Sequence, residues 1–415
     1  MPPHVVYWHK QPTPYMVERC NAIADRGSVD LEVWFNTRQE ADRSWGVDET
    51  TWRFRAQYVR ERRSLGVRHR IPIAELALTR PDVFVQEYDR AYLAAGFLVA
   101  RHAAARTAFR VLPNYDRVSE RTWWREASKH FLLRAVDGAK VSGRDGTEQA
   151  RRYGLDPSRA WRTTQSIDID HYARARSVAG EAGRMIREEL GLRGTVFLYV
   201  GRLTWAKGID VLLDAYERLS KAHDDVSLLI VGDGADERRY RDRAQTLPRV
   251  SFVGFVEKEE MPSYYAAADV MVFPTLGDAN GLVVEEAMAA GVPVISSSSA
   301  GDIRERLPPA GPGLIVPTED VSALASAMET LTLDSVLLAR MAEATARQVE
   351  GQTIGRHAED FERFILGVMA MPARSSRCAR IARTAGRVVI GASQASQNAG
   401  QLLGKASQAV LSRLR

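Results

Sequence analysis

Two doubly wound α/β domains in tandem are the fold class this sequence predicts, on three observations. At 415 residues the chain is too long for one ordinary hydrophobic core, so two domains are expected. From 195 to 316 short apolar runs alternate regularly with helical patterns, as strands joined by crossover helices do. The third observation is the stretch DVMVFPTLGDANGLVVEEAMAAGVPVI, Asp269 to Ile295, in which an apolar run, a loop, a helical pattern and a second apolar run follow at once. Such a βαβ unit is right-handed and gathers ligands at the carboxyl ends of its strands.

The elements follow in order. HVVYWH reads as a buried strand, KQPTPY as a loop, Met16 to Arg26 as a helix and LEVWF as the next strand. Residues 36 to 66 are polar, hold Trp45, Trp52 and many arginines, and read as an excursion outside the core. Pro81 to Val85 is a strand pattern with Gln86, Glu87 and Tyr88 at its carboxyl end. A helix over Ala91 to Ala105 leads to FRVLPNYD, a strand ending in Asn114, Tyr115 and Asp116. A helix over Trp123 to Val136 leads to AKVSGRDG, a strand ending at a glycine-rich turn with Arg144. Arg151 to Asp170 holds one more short strand and the loop QSIDIDHY, and Ala173 to Arg193 reads as the helical connection between domains.

The second half is more regular. Thr195 to Val200 is a β-branched and aromatic strand, Gly201 to Gly208 a loop, and Ile209 to Leu219 an amphipathic helix. VSLLIVGDGA, a charged helix, RVSFVGFV and a helix over Met261 to Ala268 lead into the Asp269 stretch. A helix over Val321 to Ala346 and an amphipathic segment, His357 to Val368, close the fold.

Composition narrows the class. Cys20 and Cys378 supply neither a disulfide framework nor metal-ligand spacing, which fits a reducing cytosol and excludes structural zinc. MPPHVVYWHK lacks the pattern of a secretory signal, and no apolar run approaches the ~18 residues that span a bilayer. A cytoplasmic protein, soluble or bound to a membrane surface, is therefore expected. The net charge of +5 is not evenly spread: residues 372 to 415 hold eight Arg or Lys and no acid, which leaves 49 basic against 52 acidic residues elsewhere.

Two motifs carry chemistry. In GRLTWAKG, Arg202 and Lys207 stand five positions apart in a loop at a strand's carboxyl end, with Gly201 and Gly208 allowing close backbone approach. A planar fork and a point charge so placed suit a diphosphate, or else are two solvated loop cations. No Walker loop is present, and GDGADE reads as a structural turn between strand and helix. In the Asp269 stretch, Asp278 and Glu286 are eight apart across ANGLVVE, with the helix starting near Gly281. The amides of Gly281 and Leu282 can face an anion while the carboxylates, with Asn280 nearby, accept from hydroxyl groups. Taken alone, Asp278 equally suits a helix cap and Glu286 an exposed side chain. The histidines form no triad and no HExxH, so hydrolase and metalloenzyme chemistry have little support.

On these residues the second half resembles the donor-binding domain of the family 4 glycosyltransferases, which have the GT-B fold. GRLTWAKG matches the family's GRLxxxKG and DANGLVVEEAMAAGVPVI its ExFGLVxxEAMAxGxPVI, with VGDG and FVGFV at the family's places between them. The resemblance is strong over about 195 to 350 and weak before that. It implies a retaining transferase that uses a nucleoside-diphosphate sugar, with no cofactor and no required metal. By matched position Arg202 and Lys207 would neutralise the leaving diphosphate, Glu286 would hold the ribose, Asp278 would contact the donor sugar, and backbone around Phe255 would contact the base. Two departures stand out. Asp278 replaces the family's usual Glu, and His9, Lys10, Gln11, Pro12, Thr13, Pro14 and Tyr15 replace its Gly-Gly loop. The acceptor side is therefore not carried over, and His9, Glu87, Asn114, Asp116 and Arg144 remain strand-end candidates for it.

The expected organisation is an acceptor-binding domain over 1–185, a donor-binding domain over 186–350, a closing helix over 351–371 packing back toward the first domain, and a basic tail over 372–415. The tail suits an anionic membrane surface or a solvated, disordered end; with no aromatic residue to stack on bases, it is not expected to bind nucleic acid. The function expected is sugar transfer to a glycan or lipid-linked acceptor in cell-surface polysaccharide or glycolipid biosynthesis. The alternatives are another GT-B enzyme, such as a nucleotide-sugar epimerase, and a catalytically silent sugar-nucleotide-binding or scaffolding protein.

Overall fold

The computed structural model describes residues 1–38, 48–60, 62–64, 67–69, 72–87, 91–112, 123–164, 166–177 and 180–387. The first nine strands are β1 (His4–His9), β2 (Asp30–Phe35), β3 (Arg55–Tyr58), β4 (Arg62–Ser64), β5 (Val67–His69), β6 (Val83–Glu87), β7 (Arg106–Val111), β8 (Gly138–Ser142) and β9 (Ala160–Thr163). Seven of them form one sheet in the order β3-β2-β1-β6-β7-β8-β9, every pairing parallel, while β4 and β5 make a small antiparallel pair. The second domain contributes β10 (Thr195–Val200), β11 (Val226–Val231), β12 (Val250–Gly254), β13 (Val270–Phe273), β14 (Val294–Ser297) and β15 (Gly313–Val316). Their order is β12-β11-β10-β13-β14-β15, again all parallel. The predicted pair of doubly wound domains is thus observed.

Helices cover both faces of each sheet, which is why the strands read as apolar throughout and not as alternating. On β1, Val5 and Tyr7 pack under the helices Pro14–Asp25 and Ile354–Ala370, while Val6 and Trp8 point to the opposite core with Trp34 and Phe84. The second sheet divides the same way: Leu198, Val200 and Met271 on one face, Phe197, Tyr199 and Val270 on the other. The helix Ile354–Ala370 crosses back and buries Phe361, Phe364, Ile365 and Val368 against the first sheet. At the crossing, Ile167 and Thr353 form a single parallel bridge, so the chain passes between domains twice at one place.

Three expectations are corrected. The polar excursion after Phe35 returns as β3, an edge strand held by its backbone ladder to β2 and by Tyr58 against Phe35, with ring centroids 5.8 Å apart. The single helix over 321–346 is two, Val321–Leu333 and Ser335–Val349, bent by 98° at Asp334, whose carboxylate caps the second by accepting from the Leu337 N–H at 2.8 Å. GRDG is not a loop either, since a helix, Gly143–Arg152, begins directly after β8.

Part of the basic tail is built into the first domain. Residues 377–387 are helical, with Ala379 and Ala382 buried beside Phe97 and Leu133. Asp137, fully buried, fastens this segment. It accepts from Arg101 Nη1 at 2.8 Å, from the Thr107 N–H at 2.9 Å and from the Arg374 N–H at 2.6 Å. Lys405, Arg413 and Arg415 lie outside the described residues. Among the described residues no single helix is long and apolar enough to cross a membrane.

Asp137→Ala strands Arg101 in the core without its counter-charge and is expected to cost about 3–5 kcal/mol. Equilibrium denaturation should register the loss, and limited proteolysis should then cut first within 372–387. A loss no larger than that of an exposed ion pair, at most ~1 kcal/mol, would show that this carboxylate is not the fastening.

Candidate functional site

In each sheet the strand order reverses beside the first strand of the domain, at β1/β6 and at β10/β13, and open parallel sheets bind ligands outside the carboxyl ends at such points. The β10/β13 point sets the loop Gly201–Gly208 beside the loop Pro274–Leu282. Lys207 ends the 3₁₀ turn Trp205–Lys207, and its Nζ pairs with the carboxylate of Asp278, which also accepts from the Asn280 N–H at 2.9 Å. Burial alone would raise the Asp278 carboxyl, but the Lys207 ammonium and these hydrogen bonds outweigh it and hold it below the usual carboxylate range. Gly208 is required here: its φ is +71°, and a Cβ would meet the Pro274 carbonyl oxygen at 2.0 Å.

Two braces fix this arrangement. GDGADE, expected as a turn, holds the cation loop: the Leu203 N–H donates to the Asp233 carbonyl at 2.6 Å, the Asp236 N–H to the Leu203 carbonyl at 3.0 Å, and the Trp205 N–H to the Asp236 carboxylate at 2.8 Å. Arg306 holds the other loop. Buried, it forks onto Glu285 with two contacts of 2.6 Å and donates to the carbonyls of Gly301 at 3.1 Å and Gly281 at 2.5 Å.

Glu286 lies on the helix Val283–Ala289, only 2% exposed. It accepts from the hydroxyl of Tyr265 at 2.8 Å and, across the domain boundary, from that of Tyr15 at 2.5 Å. Burial pushes its carboxyl up against the downward pull of both hydroxyls. The Tyr172 hydroxyl lies 3.4 Å from that of Tyr15, and burial with the nearby Glu286 charge raises all three phenols. Phe255 follows β12 and is 38% exposed. Arg202 is half-buried in the cation loop, where its carbonyl accepts from the Tyr199 hydroxyl at 2.8 Å.

Facing these loops, a cavity of about 250 Å³ opens at the carboxyl ends of β1, β7 and β8, and Asn280 and Leu282 close it from the second domain. His9 lines it; Arg144 is exposed on the helix after β8 and does not. Glu87 ends β6, while Asn114 and Asp116 lie outside the described residues. Arg19, Arg110, Lys140 and His357 also line the cavity and were missed from sequence. The signal available was weak: Lys140 is a lone cation within the apolar run AKVS.

A second interdomain contact lies nearby. The Asp145 N–H donates to Asp302 Oδ1 at 2.7 Å and the Asp302 N–H to Asp145 Oδ2 at 3.1 Å, while Asp302 Oδ2 is buried with no hydrogen-bond partner among the described residues. Burial, with the Asp145 and Glu305 charges adding to it, raises the Asp302 carboxyl to about 6.

Two facing doubly wound domains with the binding loops turned into the cleft are the GT-B architecture, and solved structures with that fold superpose on this chain. Anabaena HepE in complex with UDP and glucose does so with a TM-score of 0.71 at 17% identity, over 88% of this chain and 99% of its own. Sucrose-phosphate synthase from Thermosynechococcus elongatus gives 0.70 at 21% identity, over 89% and 99%. Residues 194–334 match the family model "Glycosyl transferases group 1". A phosphatidyl-myo-inositol mannosyltransferase of Mycobacterium leprae is 33% identical over 215 residues, 51% of this chain and 55% of that protein. The chain spans about half the length of the curated relatives it matches.

The raised Asp302 carboxyl fixes the sign of a pH effect. Its folded value lies above the unfolded ~3.9, so the folded state holds the proton more tightly, and stability falls as pH rises through that window. Melting curves from pH 5 to 7.5 should show wild type losing more stability than Asp302→Asn. Parallel curves for the two proteins would mean that Asp302 does not titrate there.

Proposed function

We propose that this protein is a retaining, metal-independent glycosyltransferase that moves a sugar from a nucleoside-diphosphate sugar to a glycan or lipid-linked acceptor, in cell-surface polysaccharide or glycolipid biosynthesis. The observation that carries the reading is the contact between Lys207 and Asp278, which joins the two motifs across 71 positions of chain. The group 1 domain and its mannosyltransferase relative support it.

In this reading the diphosphate lies along Arg202, Lys207 and the Gly281 and Leu282 amides, the donor sugar beside Asp278, the ribose at Glu286 and the base near Phe255. The bond from anomeric carbon to phosphate oxygen breaks, and its electron pair stays on the diphosphate. The acceptor oxygen bonds to the anomeric carbon on the same face, and its proton passes to the leaving phosphate oxygen. Negative charge grows on the diphosphate as positive charge grows on the sugar ring, so fixed cations at the diphosphate lower the barrier. Action at the cytoplasmic face of a membrane, with the basic residues beyond 371 toward anionic lipid, belongs to the same proposal.

Lys207→Ala and Arg202→Ala should each lower turnover roughly 10²- to 10³-fold; Arg202→Ala should melt near wild type, while Lys207→Ala, which leaves the largely buried Asp278 without its counter-charge, should melt lower but still cooperatively. A thermal-shift screen of nucleoside diphosphates and their sugars identifies the donor, since a ligand at 100 times its Kd stabilises by about 2.7 kcal/mol. Product from the selected donor with unchanged turnover in both variants would remove these residues from the mechanism. A screen without any nucleotide shift would remove the reading itself.

A further inference from the structure

We propose that in the free protein the first turn of the helix Pro14–Asp25 occupies the ribose end of the nucleotide site, and that this turn must withdraw before a nucleoside diphosphate binds; this rests on the transferase reading above. Two side chains three positions apart on a helix share one face, and here both cross to the second domain. Tyr15 donates to Glu286, and Glu18 pairs with Lys258. That reading gives the ribose to Glu286, and Lys258 stands three positions after Phe255, where it puts the base. The turn is thus fastened at two points of the place the nucleoside would take.

The contact at Glu286 leaves no room for a further donor. Glu286 is 2% exposed, with Oε1 taken by the Tyr15 hydroxyl at 2.5 Å and Oε2 by the Tyr265 hydroxyl at 2.8 Å. Tyr265 is wholly buried on the helix Met261–Ala266 of Glu286's own domain, so it stays. Tyr15 is the partner that the other domain supplies, and it leaves when that domain moves. Its ring packs against the core cluster that contains Val284, Ala287 and Met288. Burial and the nearby Glu286 charge hold its phenol well above the usual value, so it remains a hydroxyl that donates.

The turn presents Tyr15 in one fixed place. Thr13 caps the helix, its side chain accepting from the Met16 N–H at 3.4 Å, and Pro14 at the first position sets φ in advance. The second fastening is the weaker. Glu18 and Lys258 are both partly exposed, and Glu18 Oε2 is buried with no hydrogen-bond partner among the described residues. A ribose hydroxyl in the place of Tyr15 satisfies Glu286 equally, one O–H donor for another. Turn and nucleotide are then competitors for one carboxylate. The affinity observed is the intrinsic one reduced by the fraction of molecules in which the turn has withdrawn.

The test measures binding of the nucleoside diphosphates of the screen above to the full chain by calorimetry. Tyr15→Phe keeps the ring and removes the competing hydroxyl, so it should bind roughly ten-fold more tightly than wild type. A second protein ties the turn down: Glu18→Cys with Lys258→Cys, joined by a cleavable bis-maleimide. Cys20 is buried, and Cys378 is replaced by Ser to keep the linkage specific. Cross-linking should weaken nucleotide binding at least ten-fold, and cutting the linker should restore it. Should Tyr15→Phe fail to melt cooperatively, the cross-linked protein decides alone. Binding by Tyr15→Phe that equals or falls below that of wild type refutes the competition, as does a cross-linked protein that binds like its cut form; nucleotide bound by wild type then leaves the transferase reading standing. If neither wild type nor Tyr15→Phe binds a nucleotide, both fall together.

Discussion

The second-domain side of the cleft depends on the parallel pairing of β10 with β13, in which Phe197 meets Val270 and Leu198 meets Met271. β11 and β12 lie between them in sequence but are laid on the far side of β10, so two loops distant in the chain leave the sheet as neighbours. Right-handed crossovers leave little freedom in this placement. Once the strands pair, Lys207 and Asp278 must meet. The close approach at Gly208 and the fork of Arg306 onto Glu285 then convert neighbouring loops into one fixed surface. A mobile Lys207 would be hydrated and weak. Held against a carboxylate, it is already desolvated and aimed before any ligand arrives.

How much of this was legible in sequence follows from where each signal is stored. The second sheet was readable because its strands are buried on both faces, so Thr195–Val200 and Val226–Val231 are apolar apart from Thr195 and Ser227. β3 was not readable, since an edge strand such as RAQY needs only one partner and carries no apolar run. The break at Asp334 was hidden by apolar residues that continue on both sides of it. In the site, Lys207 and Asp278 stood out as charges set among glycines and apolar residues. Arg19 and Lys140 did not. Each is a single cation in an ordinary helix or strand, and its burial comes from distant segments, Ser166 against Arg19 and His357 against Lys140. Depth set by a helix two hundred residues away cannot be read from local pattern.

The two domains meet through contacts of unequal kind. Glu18 pairs with Lys258 and Arg162 with Glu305, the latter at 2.8 Å, and such partly exposed pairs contribute little. Tyr15 and Glu286 form a buried one, and it joins the segment after β1 to the helix Val283–Ala289. Because β1 places Tyr15 at the switch point of its own sheet, this contact sets how the cavity of the first domain faces the loops of the second.

The chemistry of that contact bears on how a donor could enter. Glu286 is buried and its carboxyl raised, so removing the Tyr15 hydroxyl without replacement would leave an unsatisfied acceptor, at a cost of about 1–3 kcal/mol. A ribose hydroxyl at Glu286, as proposed, replaces Tyr15 in kind, one O–H donor for another, so the exchange is nearly neutral once the ligand is in place. The opened state is costly only when empty. The Tyr15 contact is therefore one that a hydroxyl-bearing ligand can replace without leaving Glu286 unsatisfied.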